Sequence, residues 1–317
     1  MLEAWKEFLP GKRSKPDVQE FHLHLIDNII LLRNDIVNRT YRHAGYHAFK
    51  ISDPKPRDIH KAGVRDRLLH HALYRVLYPF FDRTFIPDSY SCRIGKGTHK
   101  AIERFHAFSN HVGRNGTRTV WVLKCDIRKF FASIDHGILM GILRGRIEDP
   151  GVLALLREVV GSFSSTAPGV GLPLGNLTSQ LLVNVYMNEF DQFVKHVLRA
   201  KHYVRYSDDF VFLASNREYL ETILPEIRNF LWNRLRLALH PQKVSIGTLS
   251  SGVDFLGWVH FPDHRVIRTA TKRRMMSKLR KTAAPEVIAS YRGLLAHGNA
   301  RKLALHALPT DVRSLPS

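Results

Sequence analysis

The chain has 317 residues, 44% hydrophobic and 24% charged, so it can bury a sizeable core and is not a disordered tail. Lysine and arginine number 48 against 28 for aspartate and glutamate, a formal net charge of +20 that indicates a polyanionic partner, most often nucleic acid. Two cysteines, Cys92 and Cys125, are too few for a disulfide framework or a cysteine-rich zinc site. No apolar run approaches the roughly 18–20 residues of a membrane span, and the N-terminus lacks the pattern of a signal peptide. We therefore expect a cytoplasmic protein with no membrane partner.

Hydrophobic spacing predicts helices in the N-terminal third. Residues 17–38 carry apolar side chains at helical spacing, and a second helix is predicted over 64–79, ending near Pro79. Between them, residues 53–57 contain two prolines, each of which disfavours a helical conformation of the preceding residue, so this segment is predicted to be extended. Residues 119–125 are β-branched and apolar, which predicts a buried strand.

The second half of the chain alternates helices and strands, which predicts an α+β fold. In chain order, the predicted elements are a helix over 176–198, strands over 203–206 and 210–213, a helix over about 217–238, and short strands around 244–246 and 253–259. The strands on either side of residues 207–209 predict a hairpin with acidic residues at its tip. From residue 263 to 281 the chain is strongly basic, which predicts a helical basic tail.

Three aspartates carry the clearest chemical signal. Asp126 directly follows the predicted strand, and Asp208 and Asp209 lie at the predicted hairpin tip. Two carboxylates at a turn repel each other unless a cation holds them, and hard oxygen ligands favour Mg²⁺ or Mn²⁺. Together the three acids could converge on two metal ions about 3.5–4 Å apart, the arrangement used for in-line phosphoryl transfer. Asp-Asp is also common in ordinary turns, so this motif alone does not exclude an ordinary turn that binds no metal.

Several motifs, in chain order, resemble those of bacterial reverse transcriptases. The two acidic motifs are Asp126-Ile127-Arg128-Lys129-Phe130-Phe131 and Tyr206-Ser207-Asp208-Asp209. The motifs similar to those of the fingers are Lys55-Pro56-Arg57, Arg65-Asp66-Arg67 and Ser89-Tyr90-Ser91-Cys92-Arg93. Residues 171–180 resemble the segment that lies under template and incoming nucleotide, and residues 239–243 and 255–258 resemble two later palm motifs. Five palm motifs in order point strongly to a polymerase palm.

The resemblance implies a right-hand polymerase with fingers, palm and short helical thumb. The implied division is an N-terminal helix and fingers over 1–117, a first part of the palm over 118–137, a fingers–palm connection over 138–170, a second part of the palm over 171–260, and a basic thumb over 261–317. The implied activity is RNA-directed DNA polymerisation by two-metal nucleotidyl transfer, with two Mg²⁺ ions, or Mn²⁺ in their place, as cofactors. The implied partners are an RNA template, a cDNA or primer end, and dNTPs.

Within the group II intron-like superfamily, the chain most resembles the reverse transcriptases of diversity-generating retroelements. Its nucleotide-pocket segment ends in Thr-Ser-Gln at 178–180, whereas group II and retron enzymes favour proline at the position of Gln180. Leu174 stands where group II intron and retroviral enzymes usually have glutamine. Ser207 departs from the methionine common in this family. This resemblance implies error-prone copying of a template-repeat RNA, a small basic accessory protein as partner, and a bacterial or phage-encoded gene.

The resemblance also implies residue roles. Asp126 and Asp208 are expected to bind metal directly, Asp209 to complete the acidic cluster, and Lys243 to protonate the leaving pyrophosphate as a general acid. The residues expected to bind the nucleotide are Lys55, Arg57, Arg93, Ile127, Phe131, Gly175 and Gln180. The residues expected to bind nucleic-acid phosphates without reading sequence are Arg265, Arg268, Lys272, Arg273, Arg274 and Lys278.

Several of these roles have simpler alternatives. Phe131 is expected to be a gate against the ribose 2′-hydroxyl, and the alternative is a core aromatic after a strand. Lys55 and Arg57 are expected to reach the triphosphate as a point charge and a fork, and the alternative is a solvated basic loop. Lys243 could be an ordinary surface lysine, and the basic run could be a solvated face.

Two other functions remain open at this point. One is an antiphage-defence or other orphan bacterial reverse transcriptase, which keeps the enzyme but changes its biology. The other is a catalytically silent RNA-binding scaffold that kept the fold. The presence of all three acids argues against the scaffold.

Overall fold

The computed structural model describes residues 1–52, 56–282, 284–300, 303 and 305. Over these residues, helices and antiparallel sheets alternate along the chain, in agreement with the expected α+β class. None of the helices in this part of the chain is both long and apolar enough to cross a membrane.

The N-terminal part is mainly helical and includes one two-stranded ribbon. Its elements are α1 (Leu2–Phe8), α2 (Pro16–Leu23), α3 (Leu25–Val37), β1 (Tyr46–Ile51), β2 (Arg57–Ala62), α4 (Val64–Asp82) and α5 (Thr98–Gly113). The two strands pair antiparallel, with Ile51 opposite Arg57. Arg57 is therefore extended, as predicted, whereas Lys55 lies outside the described residues.

Two helix predictions differ from the structure. The helix predicted over 17–38 is interrupted at His24, which has φ −116° and ψ 34°. The Asn28 side-chain amide donates a hydrogen bond of 3.0 Å to the Phe21 carbonyl, which gives that carbonyl a partner next to the break. Helix α4 continues past Pro79 to Asp82. A proline in the last turn of a helix removes only one backbone donor. The Pro79 carbonyl has a hydrogen-bond partner, because it accepts from Arg83 Nε at 3.0 Å.

A four-stranded antiparallel sheet forms the centre of the molecule. The elements that build and cover it are β3 (Trp121–Asp126), a 3₁₀ turn (Phe130–Ser133), α6 (His136–Arg144), α7 (Pro150–Gly161), α8 (Leu177–His196), β4 (Tyr203–Tyr206), β5 (Asp209–Ala214), α9 (Arg217–Leu235) and β6 (Ser245–Thr248). The strand order is β4-β5-β3-β6, so the two strands that carry the acids are neighbours. The predicted buried strand, acidic hairpin and both long helices are confirmed within a few residues of their predicted ends.

The two faces of this sheet pack against different helices because side chains alternate along a strand. Leu123 and Phe210 belong to the large core that includes residues of α8 and α9. Val122 and Val211 belong to a second core formed with α5. Asp126 and Asp209 lie an even number of residues from these valines, so the alternation puts both acids on the α5 side of the sheet.

The C-terminal part joins a small sheet to two helices. Its elements are β7 (Val253–Phe255), β8 (Trp258–His260), β9 (Arg265–Ile267), α10 (Thr269–Lys281) and α11 (Pro285–Leu295). The strand predicted over 253–259 is in fact a hairpin, because Leu256 and Gly257 take φ 51° and 89°, the positive values that a tight two-residue turn requires. The sheet order is β7-β8-β9, so this sheet crosses the expected palm–thumb boundary at 260/261. The domain boundaries stay predictions.

Candidate active site

The acidic motifs meet at the adjacent ends of β3 and β5. Asp126 is the last residue of β3 and lies directly opposite Asp209, the first residue of β5. The Ile127 N–H donates a hydrogen bond of 3.1 Å to the Asp208 carbonyl, which ties the hairpin turn to the end of β3. Asp126 therefore meets Asp208 and Asp209, more than 80 residues later in the sequence, at one end of the sheet.

The turn that carries Asp208 has an unusual backbone conformation. Ser207 has φ +60°, in the left-handed region that a non-glycine residue enters at a cost of roughly 1–3 kcal/mol. Such a conformation persists only where the surrounding structure holds it. The contacts around this turn therefore hold its backbone in place.

A buried ion pair lies on the other face of the hairpin. Arg205 of β4 and Asp191 of α8 are both fully buried, with Arg205 Nη2 2.6 Å from Asp191 Oδ2. Sequence analysis missed both residues. The available sequence signal was the spacing between Tyr203 and Arg205. Side chains two residues apart lie on the same face of a strand, so Arg205 shares the face on which Tyr203 enters the apolar core.

The acidic cluster is crowded with negative charge. Burial is the main cause that raises the pKa of Asp208, and the Asp126 carboxylate adds to it, while the cations of Lys243 and Arg57 oppose the rise. The pKa of Asp209 is raised to about 7, mainly by burial; Lys124 opposes the rise, and the carboxylates of Asp208 and Asp126 contribute to it. A cation bound beside Asp208 and Asp209 would therefore stabilise the charged form of both carboxylates.

Two lysines contact the cluster. The ammonium of Lys243 donates to both carboxylate oxygens of Asp126, at 3.0 Å each. The His240 N–H donates to the Asp126 carbonyl at 2.7 Å, which anchors the segment that carries Lys243. On the other side, Lys124 Nζ lies 4.0 Å from Asp209 Oδ2 and also donates to the Asp254 carbonyl. Lys124 was not among the residues that the motifs singled out.

The site fits a hard divalent cation, although the side chains are not arranged as a ready-made cage. Within the described ranges, no group of three or more His, Cys, Asp or Glu side chains is arranged to hold a metal ion. Asp209 Oδ1 is buried and has no hydrogen-bond partner among the described residues. Carboxylate oxygens are the ligands that Mg²⁺ and Mn²⁺ prefer. A cation bound at Asp126 would compete with the Lys243 ammonium for the same two oxygens.

The expected nucleotide-binding residues differ in burial and in the elements that carry them. Arg57 is exposed on β2, close enough for its charge to lower the pKa of Asp208. Ile127 is buried and offers the backbone N–H described above. Phe131 is half-buried in the 3₁₀ turn, packed edge-on against Phe130. Gln180 is half-buried in the first turn of α8.

Backbone conformation and close packing against β2 explain the glycine at position 175, whereas the resemblance implies a nucleotide contact. It has φ +101°, and a Cβ there would lie 2.9 Å from the Ile59 side chain on β2. The neighbouring Leu174 carbonyl accepts a hydrogen bond of 3.1 Å from the His60 N–H. The nucleotide-pocket segment therefore packs directly against the ribbon that carries Arg57.

Arg93 is directed into the protein. Its side chain is 6% exposed, with Nε 2.7 Å from Asp82 Oδ1. Nη1 donates to the carbonyls of Ile86 and Ser89 at 2.7 and 3.0 Å. These contacts hold the loop between α4 and α5, and they leave the expected nucleotide contact of Arg93 without support from the geometry.

The basic residues of the C-terminal part divide into two groups. Lys272, Arg273, Arg274 and Lys278 lie on α10, as expected for a basic helix. Arg265 lies on β9 instead, stacked 5.6 Å from the Trp258 ring, and Arg268 precedes α10 and pairs with Asp254. The helical basic stretch predicted over 263–281 thus begins as a helix later than expected, because residues 265–267 pair with β8.

The sequence is similar to those of known proteins. Residues 52–260 match the family described as "Reverse transcriptase (RNA-dependent DNA polymerase)". The chain is 27% identical over 309 residues to Protein YkfC of Escherichia coli strain K12, covering 84% of this chain and 78% of that protein. It is 22% identical over 294 residues to the group II intron-encoded protein LtrA of Lactococcus lactis subsp. cremoris, covering 71% of this chain and 47% of that protein.

Solved structures show the same fold. The apo telomerase of Candida tropicalis superposes with a TM-score of 0.57 at 10% identity, over 84% of this chain and 56% of that chain. The telomerase of Candida albicans, in complex with a fragment of telomeric RNA, gives a TM-score of 0.55 at 10% identity, over 84% of this chain and 54% of that chain. The chain thus spans about half the length of LtrA and of these telomerases.

The palm sheet, with its acids at one edge, defines a template-dependent polymerase of the right-hand fold. The match over residues 52–260 then makes the assignment specific: the chain belongs to the reverse transcriptase family, the RNA-dependent DNA polymerases. Reverse transcriptase domains generally use divalent metal ions. The relatives include group II intron-encoded proteins.

Proposed function

We propose that this chain synthesises cDNA on an RNA template by adding dNTPs to a primer end. The observation that carries the proposal is the direct pairing of Asp126 with Asp209 across β3 and β5, with Asp208 in the adjoining turn. In this proposal Asp126 and Asp208 bind metal directly and Asp209 completes the cluster. A pair of Mg²⁺ or Mn²⁺ ions would supply the positive charge that activates the primer 3′-hydroxyl and neutralises the triphosphate.

Lys243 is proposed as the general acid for the leaving pyrophosphate. Its ammonium is held at the acidic cluster by Asp126, 3.0 Å from each carboxylate oxygen. The side chain is 43% exposed, so it can move between the carboxylate and a substrate above it. A lysine with access to both is suited to deliver a proton as negative charge develops on the leaving group.

The residues around the cluster are proposed to hold the nucleotide. Arg57, with Lys55 preceding it, would bind the triphosphate, and the exposed position of Arg57 on β2 and its charge effect on Asp208 support this. Phe131 would exclude a ribose 2′-hydroxyl. Ile127, Gly175 and Gln180 would contact the nucleotide through backbone or side chain, and Arg93 would do so only if it left its present partners.

The basic helix α10 is proposed to track the nucleic-acid backbone. Lys272, Arg273 and Lys278 are exposed along it, and its first turn carries no acid. Cations spaced along one helix neutralise phosphates without reading sequence. Arg265 and Arg268 would contribute from the small sheet beside the helix.

The finer proposal is that the enzyme serves a diversity-generating retroelement. Leu174 and Gln180 support it, because both depart from the residues usual in group II enzymes. The partners would then be a template-repeat RNA and a small basic accessory protein, with cDNA destined for a variable gene. An antiphage-defence or other orphan enzyme would share the chemistry, and the genes that flank this one would separate the two.

The decisive experiment is primer extension with Mg²⁺ on a homopolymer RNA template. Wild type should incorporate dNTPs, and Asp208→Asn should abolish incorporation while leaving RNA affinity nearly unchanged, since affinity rests on the basic surface. Asp27→Asn, an exposed aspartate on α3, is the matched control and should extend primers normally. Inactive wild type, or robust extension by Asp208→Asn, would refute the proposal.

A further inference from the structure

The Arg205 guanidinium lies under the turn that carries Asp208 and is bonded on every side. The side chain is fully buried on β4, at a position where strand alternation directs it toward α8. Its hydrogen bonds run from Nε to Asp191 Oδ1 at 2.8 Å, from Nη2 to Asp191 Oδ2 at 2.6 Å and to Ser89 Oγ at 3.0 Å, and from Nη1 to Asn184 Oδ1 at 3.3 Å and to the Ser207 carbonyl at 3.1 Å. One end of this network is therefore helix α8, and the other is the acidic turn.

The α8 end of the network is rigid. Asp191 provides the opposite charge that a buried guanidinium needs, and two parallel N–H···O bonds fix the relative orientation of the two groups. Tyr203 donates a further hydrogen bond of 2.8 Å to Asp191 Oδ1. The guanidinium plane cannot rotate without breaking several buried hydrogen bonds at once.

The turn end of the network is the part under strain. The two-residue turn requires the positive φ of +60° at Ser207, and a residue with a Cβ adopts that conformation only at an energetic cost. Two hydrogen bonds hold the two-residue loop by its carbonyls: Arg205 Nη1 binds the carbonyl of Ser207, and the Ile127 N–H binds that of Asp208. The first of these bonds is on the face of the sheet opposite the acidic cluster.

We propose that Arg205 is a positioning residue that holds Ser207 in its left-handed conformation and thereby orients the Asp208 carboxylate for metal binding. The inference rests on the proposed role of Asp208 as a metal ligand. It assigns to the Arg205–Asp191 pair a function in addition to stability: the rigid helix α8 sets the direction of a carboxylate on the far side of the hairpin.

Arg205→Lys is the test substitution because it keeps the positive charge beside Asp191. A single ammonium cannot span Asp191 and the Ser207 carbonyl as the planar fork does. We expect three changes: faster amide hydrogen exchange in a peptide covering residues 206–210, weaker Mn²⁺ binding measured by electron paramagnetic resonance without substrate, and a kcat for dNTP incorporation lowered about 10–100-fold. The affinity for primer–template should not change, because it depends on the basic surface.

Ser207→Gly distinguishes positioning from a general packing defect. Glycine takes positive φ without a steric penalty, so it removes the need for Arg205 to hold this conformation. In the Arg205→Lys background, Ser207→Gly should restore part of the Mn²⁺ affinity and of kcat. A defect that came only from poor packing around Asp191 would not recover.

Arg104→Lys is the matched control. Arg104 on α5 pairs with Asp88 at 2.8 Å, so the same substitution is made in another arginine–aspartate pair. It should leave the Mn²⁺ affinity and the exchange of residues 206–210 at wild-type values. Unchanged exchange and Mn²⁺ affinity in Arg205→Lys, or failure of Ser207→Gly to restore either, would overturn the positioning role. Inactive wild type would instead count against the proposed function, and hydrogen exchange would still report on the turn.

Discussion

The Lys243 ammonium lies 3.0 Å from both carboxylate oxygens of Asp126. An ammonium in that position neutralises one of the two acids that are expected to bind metal directly. In the proposed mechanism this contact keeps Lys243 beside the acidic cluster and also makes it compete with the cation for Asp126. Under these proposed roles, proton delivery and metal affinity are coupled through one side chain.

Lys243→Met should separate these two effects. Without the competing ammonium, Mn²⁺ should bind the cluster up to about fivefold more tightly, the equivalent of roughly 1 kcal/mol for a partly exposed ion pair. The rate of dNTP incorporation should nevertheless fall, because the general acid is lost. Mn²⁺ titration and single-turnover kinetics measure the two effects. Lys201→Met, at an exposed site by β4, is the control. Weaker Mn²⁺ binding by Lys243→Met would contradict the competition.

Replacement of Lys272 and Arg273 by alanine should weaken binding to all primer–templates alike. Both side chains are exposed on α10, and each phosphate contact that is lost reduces the counterions released on binding. The slope of log affinity against log salt should become shallower by about one to two units. Fluorescence anisotropy at several salt concentrations measures it. A loss confined to one RNA sequence would indicate specific readout instead.

Leu174→Gln tests the fidelity of copying. Leucine at this position only fills space, whereas an amide can hydrogen-bond near the template nucleotide, a contact worth roughly 0.5–1.5 kcal/mol. The substitution should lower misincorporation by up to about tenfold, since ~1.4 kcal/mol corresponds to a factor of ten. Under the retroelement proposal, the gain should be largest opposite template adenine. The measurement is sequencing of cDNA made by the two proteins. Identical error spectra would show that residue 174 does not determine the fidelity of copying.

Acid should destabilise the fold in part through His260. This side chain is buried on β8, where burial lowers the pKa of its imidazole to about 4 from 6.5. The unfolded chain therefore takes up a proton at a higher pH than the folded chain does, so stability is complete above about pH 6.5 and falls as the pH drops toward 4. The contribution lost is about 3 kcal/mol.

His260→Gln should flatten this pH dependence. Glutamine can still donate to the Phe255 carbonyl, the partner of His260 Nε2 at 3.1 Å, but it cannot be protonated in this range. Urea unfolding at pH 4.5 and 7 measures the difference in the free energy of unfolding. His264→Gln, on a histidine of the same region whose side chain is 37% exposed, is the control. Equal pH slopes for wild type and His260→Gln would show that other groups govern acid unfolding.

The predictable parts of this molecule are those that local patterns determine. Alternation and helical spacing predict β3, the acidic hairpin and helix α8, because each pattern needs only neighbouring residues. The Lys243–Asp126 contact joins positions 117 residues apart, and the Arg205–Asp191 pair depends on how the hairpin packs on α8. Such contacts follow from tertiary packing. Arg93 shows the same limit, since its motif resembles a nucleotide contact while its side chain is buried against Asp82.

The core shared by Trp258, Ile267 and Met275 has a mechanical consequence. It fixes helix α10 to the hairpin of β7 and β8, and the Asp254 carbonyl of that hairpin accepts from Lys124, the cation beside Asp209. Under the proposed role of α10, a force that a translocating duplex exerts on this helix would be transmitted through these contacts to the end of the sheet where the acids lie. The affinity for the product duplex and the rate of each nucleotide addition should therefore change together when Trp258 is replaced by a smaller residue. Processivity and stepping rate, measured on one template, would then shift as a pair.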